Sequence, residues 1–215
     1  MKKIGILGSG QVAQTLGNGF LTKGYEVMLS SRDISKLSAW QEKGGTQAKV
    51  GSFREAAQFG DIIVLSVMGR VATDVIEQAG PQFLNGKTII DTTNPIAEAP
   101  PENGVLRFFT DLDESLMEQL QERFPEIHFV KAFSCVGSSF MVDPAFKDGK
   151  PTMFTCGNNM NAKNEVKHIL DQFGWDIADM GHIEASRAIE PLCMLWCIPG
   201  FVNNQWGHAF KLLKA

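Results

Sequence analysis

Through the first ~130 residues, short apolar runs alternate with stretches whose apolar residues recur at helical spacing. Lys2–Leu7 reads as a short strand. In Gln11–Thr22, Val12, Leu16 and Phe20 share one helical face. Tyr25–Leu29 is the next strand. Ile34–Lys43 is a polar-amphipathic helix, closed by Gly44-Gly45. Gln47–Val50 is a weak strand, and Ser52 caps a short helix reaching Phe59. "DIIVLSV", Asp61–Val67, reads as one continuous buried strand, as parallel sheets require. Val71–Ala79 is a helix and Lys87–Asp91 a strand. After the Pro-rich loop "NPIAEAPPENG" come a helix at Leu112–Phe124 and a strand at His128–Ala132. This alternation predicts an α/β fold of the Rossmann kind, a doubly wound, mostly parallel sheet.

From Pro151 the pattern changes. "PTMFTC" is a strand, Ala162–Phe173 a helix and "WDIADM" another strand. A long helical tail is expected from Glu184 to the C-terminus, bent near Pro191 and Pro199. The expected division is a nucleotide-binding domain at 1–150 and a small C-terminal α/β appendage at 151–215.

Composition narrows the functional classes. Apolar residues make up 44%, enough for a core, and 20 basic against 24 acidic residues give a net charge of -4. That mild acidity argues against nucleic acid or an anionic membrane as partner. The apolar run Ala188–Val202 contains Glu190 and two prolines and falls short of the about 20 residues a span needs. Gly8, Ser9 and Gly10 break the N-terminal apolar run too early for a signal peptide. Cys135, Cys156, Cys193 and Cys197 show neither disulfide nor metal spacing and read as reduced thiols of a cytoplasmic protein.

The first chemical signal is Gly8-Ser9-Gly10-Gln11-Val12-Ala13, a G-x-G-x-x-A loop between a strand and a helix. Gly8 permits the turn, Gly10 admits a pyrophosphate, and Ala13 allows close helix–strand packing. The helix then offers free N–H groups and its positive end to phosphate. At the end of the second strand, where a free ribose 2′-hydroxyl would call for an acid, the chain reads Ser30-Ser31-Arg32. A carboxylate there would repel a 2′-phosphate. Hydroxyls and a guanidinium, with Ser9 in the loop and Lys36 one turn on, suit one. The cofactor that fits is NADP(H). Asp33 reads as a helix cap.

Ligands of open parallel sheets bind beyond the strands' carboxyl ends. Ser66-Val67-Met68 should lie along the cofactor, and Asn94 should bond the nicotinamide ribose with Pro95 fixing the turn. Ala132 and Phe133 should flank the nicotinamide, their backbone groups holding its carboxamide. No catalytic acid or base emerges. The four histidines have no charged partner in sequence, Cys135 has nothing that marks a thiolate, and "GHIEASRAIEPL" lacks the lysine that hydroxyacid dehydrogenases of related architecture use. Hydride transfer to a flavin-like ring needs no such group, because the protein only aligns two planar rings.

"KIGILGSGQVAQTL", "GYEVMLSSR", "GKTIIDTTNP", "FVKAFSCV" and the C-terminal "DMGHIEASRAIE" together resemble the NADPH-dependent deazaflavin (coenzyme F-420) reductases. The same segments resemble the cytosolic oxidoreductase domain of the STEAP ferric reductases. The resemblance runs from Lys2 to about Trp196. It implies NADP(H) selection by Ser9, Ser31 and Arg32, a C-terminal portion that completes a ring-binding cleft, and a homodimer. Trp196, Phe201, Trp206 and Phe210 suit a dimer surface. The acceptor is left open among the deazaflavin F-420, FMN and FAD. The other reading is a non-catalytic NADPH-binding module that senses redox state or docks on a partner.

Overall fold

The computed structural model describes residues 2–213. Strands β1 (Lys3–Leu7), β2 (Glu26–Ser30), β3 (Ala48–Gly51), β4 (Ile62–Leu65), β5 (Thr88–Asp91) and β6 (His128–Lys131) form one sheet, in the order β3-β2-β1-β4-β5-β6. Every pairing in it is parallel. Helices α1 (Gln11–Thr22), α2 (Ser38–Gly44), α3 (Phe53–Phe59), α4 (Ala72–Ala79) and α5 (Leu116–Arg123) connect the strands. Strand order reverses between β1 and β4, which opens a crevice at their carboxyl ends.

The period of two along each strand assigns its side chains to two apolar layers. Ile4, Ile6, Val27, Val64, Ile90 and Val130 join Leu16 and Phe20 of α1 on one face. Leu7, Ile63, Leu65, Ile89 and Phe129 join Ala56, Ile76 and Leu120 on the other. Continuous burial of Ile62–Leu65 follows from having both faces covered.

The C-terminal part is a second parallel pair, β7 (Thr152–Thr155) and β8 (Asp176–Asp179), with α6 (Met160–Gln172) between them. The Lys131 N–H donates to the Cys156 carbonyl at 3.0 Å, which seats the pair antiparallel at the edge of β6. Val166, Ile169, Phe173 and Trp175 enter the same apolar cluster as Ile4 and Val27. Residues on both sides of the expected boundary at 150 therefore share one core.

Three expected elements change. The helix predicted at Ile34–Lys43 is split into a 3-10 turn, Ile34–Leu37, and α2. The Asp33 carboxylate accepts from the Ser35 N–H at 3.2 Å, closing the tighter turn first. The helix predicted from Leu112 begins at Leu116, because Ser115 and Glu118 form a reciprocal capping box there. Ahead of it, Asp111 accepts from the N–H groups of Asp113 and Glu114 and holds a turn. The tail is not one bent helix. It comprises α7 (Ser186–Ile189) and α8 (Pro191–Asn203), then reverses at Asn204, whose φ of 54° is left-handed. Pro191 starts α8 at a position that needs no N–H donor, and Pro199 lies inside it. Residues 205–213 return along β7, where Phe210 O accepts from the Thr152 N–H at 2.8 Å. Lys214 and Ala215 lie outside the described residues. Trp196 is buried and stacks on His208, whereas Phe201 and Trp206 remain partly exposed.

A buried ionic cluster ties these parts together. Lys131 ends β6 with a fully buried side chain. Its Nζ lies 2.6 Å from Asp91 Oδ2 and 2.8 Å from Glu190 Oε1. It also donates to the Thr93 carbonyl at 2.9 Å. The Asp91 Oδ1 atom accepts from the Thr93 N–H and hydroxyl. Glu190 enters from the residue before α8, and its carboxylate accepts from the N–H groups of Leu116 and Met117 at 3.0 and 3.1 Å. One cation thus faces two carboxylates, and the positive end of α5 compensates the excess negative charge. Burial alone pulls the Lys131 pKa down. The Asp91 and Glu190 carboxylates outweigh it and hold the ammonium above its ordinary value. The stability linked to that raised pKa is present below the ordinary lysine range and is lost only in strong alkali. Replacing Glu190 by Ala leaves Lys131 and the α5 amides underpaired. The expected loss is about 3–5 kcal/mol in urea denaturation at neutral pH, with Glu190→Gln less damaging. A loss below about 1 kcal/mol would show that the cluster contributes little.

Candidate functional site

The crevice at the carboxyl ends of β1, β2, β4 and β5 is a cleft of about 730 Å³. Gly8 enters it at a φ of 146°, and a Cβ there would lie 2.0 Å from the Ser66 carbonyl. Gly10 is the opposite case. A Cβ would meet nothing within 4 Å, so the open space lies directly in front of its backbone. Gly10 is also the N-cap of α1 and provides no side-chain hydrogen bond to the first-turn N–H groups. Ser9, Gln11 and Val12 line the same region. This is a concave donor surface, suited to an anion.

At one end the cleft is bounded by Ser31, Arg32, Asp33 and Lys36. The hydroxyl of Ser31 accepts from the Asp33 N–H at 3.1 Å, leaving its own proton to donate. Ser30 is different. Its hydroxyl is buried and donates to the Ile6 carbonyl at 2.7 Å, so of the two serines only Ser31 faces the cleft. Arg32 is exposed, and Asp33 is engaged as the cap of the following turn. The wall beside them is apolar at Phe53 of α3, at Val71 just before α4 and at Val75 within it, with the polar Asp74 and Gln78 of α4 at its edge. The sequence reading had missed this wall, although the i, i+4 spacing of Val71 and Val75 was visible.

Towards the other end lie Ser66, Val67, Met68, Thr92, Thr93 and Asn94. The Asn94 side-chain N–H donates to the Ser134 carbonyl at 2.7 Å. Among the described residues, the buried Asn94 Oδ1 and Ser134 Oγ have no hydrogen-bond partner. Asn94 lines the cleft and Ser134 does not, so the spare polar capacity that suits a ligand's hydroxyl or amide is that of Asn94. Pro95 is buried just behind and accepts from the Phe109 N–H, anchoring a hairpin in which Ile96 pairs with Phe108.

Ala132 and Phe133 do not stand where they were expected. Both are buried in the core, and Phe133 packs on Phe173. Their N–H groups are already used: Ala132 donates to the Asp91 carbonyl, and Phe133 donates to the Met153 sulfur at 3.1 Å. Phe133 has a left-handed φ of 62°, a strained conformation for an aromatic residue, and the next residue, Ser134, is the one that meets Asn94.

No histidine, cysteine or tyrosine lines the cleft among the described residues. Burial pushes the thiols of Cys135 and Cys156 up to about 12, so both stay protonated near neutral pH.

Residues 3–95 match the family described as NADP oxidoreductase, coenzyme F420-dependent. The match spans the glycine loop, the end of β2 and the turn at Asn94. A crystal structure assigned provisionally as an F420-dependent NADP-reductase of Arthrobacter sp. FB24 superimposes with a TM-score of 0.92 at 28% identity, covering 100% of each chain. Metalloreductase STEAP3 of Rattus norvegicus is 27% identical over 92% of this chain and 38% of its own length. Metalloreductase STEAP2 of Homo sapiens is 25% identical over 88% of this chain and 35% of its own. The chain therefore spans little more than a third of the curated relatives it matches. An imine reductase of Myxococcus stipitatus, solved with NADP+, shares the fold at 16% identity and a TM-score of 0.67, over 90% of this chain and 60% of its own. The resemblance to NADP-dependent oxidoreductases read from the sequence holds. No helix among the described residues is long and apolar enough to cross a membrane.

The raised pKa values predict slow alkylation of Cys135 and Cys156. Iodoacetamide at pH 8 should leave both unmodified in the folded protein and modify all four cysteines in urea, as mass spectrometry of peptides would show. Rapid native labelling of Cys135 would establish an accessible thiolate there and overturn its burial.

Proposed function

We propose that the cleft binds NADP(H) and that the protein transfers hydride between this coenzyme and a flavin-like acceptor: the deazaflavin F-420, FMN or FAD. The observation that carries the reading is the sign of the surface. Open space in front of Gly10 and the uncapped start of α1 continues to Ser31 and Arg32 with no free carboxylate at the end of β2. In this reading Gly8, Gly10, Gln11 and Val12 cradle the pyrophosphate. Ser9, Ser31, Arg32 and Lys36 receive the 2′-phosphate. Phe53, Val71 and Val75 flank the adenine. Ser66, Val67 and Met68 run alongside the coenzyme, and Asn94 takes the nicotinamide ribose through its free Oδ1.

When bound, NADPH supplies the hydride and its ring carries the electronic change. The chain's own share is alignment and exclusion of water. That division agrees with a lining that holds no histidine, cysteine or tyrosine among the described residues, and whose carboxylates are Asp33, engaged as a cap, and the exposed Asp74 of α4. The four unpaired cysteines support a cytoplasmic setting. The exposed Leu195, Phe201 and Val202 of α8 support a homodimer with this helix at its interface.

Replacing Arg32 by Ala should weaken NADPH binding by about 1.5–3 kcal/mol, the range for a lost charged hydrogen bond, and leave NADH binding scarcely changed. Calorimetry with both coenzymes decides it, and equal losses would defeat the assignment. For the reaction, NADPH is mixed with FMN, FAD, deazaflavin and a ferric chelate while absorbance at the nicotinamide band is followed. Oxidation by at least one flavin-type acceptor is expected. Tight NADPH binding without turnover on any acceptor would instead identify a non-catalytic module.

A further inference from the structure

Arg70 is a third cation in the cleft, and its surroundings differ from those of Arg32 and Lys36. The preceding Gly69 packs so closely on the turn after β5 that a Cβ would lie 2.1 Å from the Asn94 carbonyl. Arg70 thereby follows a backbone that is packed on the Asn94 turn, at the end of the cleft away from Ser31. Its Nη1 pairs at 2.8 Å with Glu98 Oε1, on the hairpin that follows Pro95. The hairpin is held by the Ile96–Phe108 pairing and by the Ala97 N–H donating to the Arg107 carbonyl. Arg70, Ile96 and Ala97 all line the cleft. The neighbouring Met68 and Ile96 are exposed, at 61% and 36%. This end of the cleft therefore presents an open apolar surface with one guanidinium at its edge.

The Arg70–Glu98 pair is itself easily exchanged. Glu98 is 80% exposed, and a solvated carboxylate loses little when its partner leaves. A guanidinium, in contrast, gains a forked contact from a phosphate. The coenzyme's own phosphates have their partners elsewhere, at the glycine loop and at Ser31 and Arg32. We infer that Arg70 receives the phosphate on the side chain of the flavin-like acceptor, with Glu98 holding its place until that group arrives. The inference rests on the proposed hydride transfer and assigns the side-chain phosphate that F-420, FMN and FAD share to this end of the cleft.

Riboflavin and FMN share one ring system and differ in the terminal phosphate. Their dissociation constants are measured by flavin fluorescence with the chain saturated in NADP+, for the native protein, Arg70→Ala and Glu98→Gln. NADPH affinity is measured in parallel by calorimetry. FMN should bind the native chain about tenfold or more tightly than riboflavin, corresponding to a charged hydrogen bond. Arg70→Ala should abolish that preference and leave riboflavin and NADPH affinity within about twofold, since the lost contact is to phosphate. Glu98→Gln should strengthen FMN binding, because it removes the competing carboxylate. Equal affinity for the two flavins, or an Arg70→Ala effect that falls on NADPH, overturns the inference while leaving the flavin-like acceptor intact. Failure of both flavins to bind the NADP+-loaded native chain removes the flavin-like acceptor and this inference with it.

Discussion

The Lys131–Asp91–Glu190 cluster is the constraint on which the geometry of the cleft depends. It lies directly behind the turn that carries Asn94. Lys131 Nζ holds the Thr93 carbonyl, and Asp91 holds the Thr93 N–H and hydroxyl, so the chain leaves β5 in one fixed direction. Glu190 brings two further elements into the same arrangement, α5 through its first N–H groups and α8 through its start. Burying three charges is costly, and an apolar replacement of equal volume is often no less stable. What an apolar cluster would not supply is direction. Ionic hydrogen bonds fix the angle at which β5, β6, α5 and α8 meet, and the free polar atoms of Asn94 and Ser134 sit at that meeting point.

The two ends of the cleft use electrostatics differently. Around Gly10 the donors are backbone N–H groups, which need no side-chain ordering and are set by the fold. At Arg32 and Lys36 the charges are exposed, next to the buried Ser31, and contribute little to the stability of the fold. At Arg70 the cation is already paired, with a partner on a hairpin that belongs to neither sheet. Specificity at each end can therefore change independently of the other and of the buried cluster.

Local signals were legible in the sequence, and long-range ones were not. The glycine loop stands between strand and helix as expected, and α1 occupies Gln11–Thr22 as its apolar spacing predicts. Ser31, Arg32, Met68 and Asn94 come together because every strand of a parallel sheet delivers its carboxyl end to the same edge. Ser30 and Ser31 are adjacent in sequence, yet strand alternation turns one into the sheet and the other to the cleft. Ala132 and Phe133 were misplaced for a related reason: both turn into the core, and after the left-handed turn at Phe133 it is the Ser134 carbonyl that meets Asn94. The buried cluster was invisible because its members stand 40 and 59 residues apart (131 − 91 and 190 − 131). Its only trace was a charge inside each of three apolar runs, "TIID", "FVKAF" and "AIEPL".

The same distinction explains the tail. Apolar composition from Glu184 onward suggested continuous helix, but composition cannot say where a helix ends. The reversal at Asn204 comes from packing. The Trp196 indole N–H donates to the His208 carbonyl, and Trp196 O lies 3.0 Å from His208 Nε2. The returning segment then pairs with the start of β7. Continuing α8 as a helix would leave Trp196 without those partners and β7 without its neighbour. It would also extend an apolar surface already open at Leu195, Phe201 and Val202. Folding back satisfies the polar atoms of one aromatic cluster and buries Trp196, which a continuing helix would have left open.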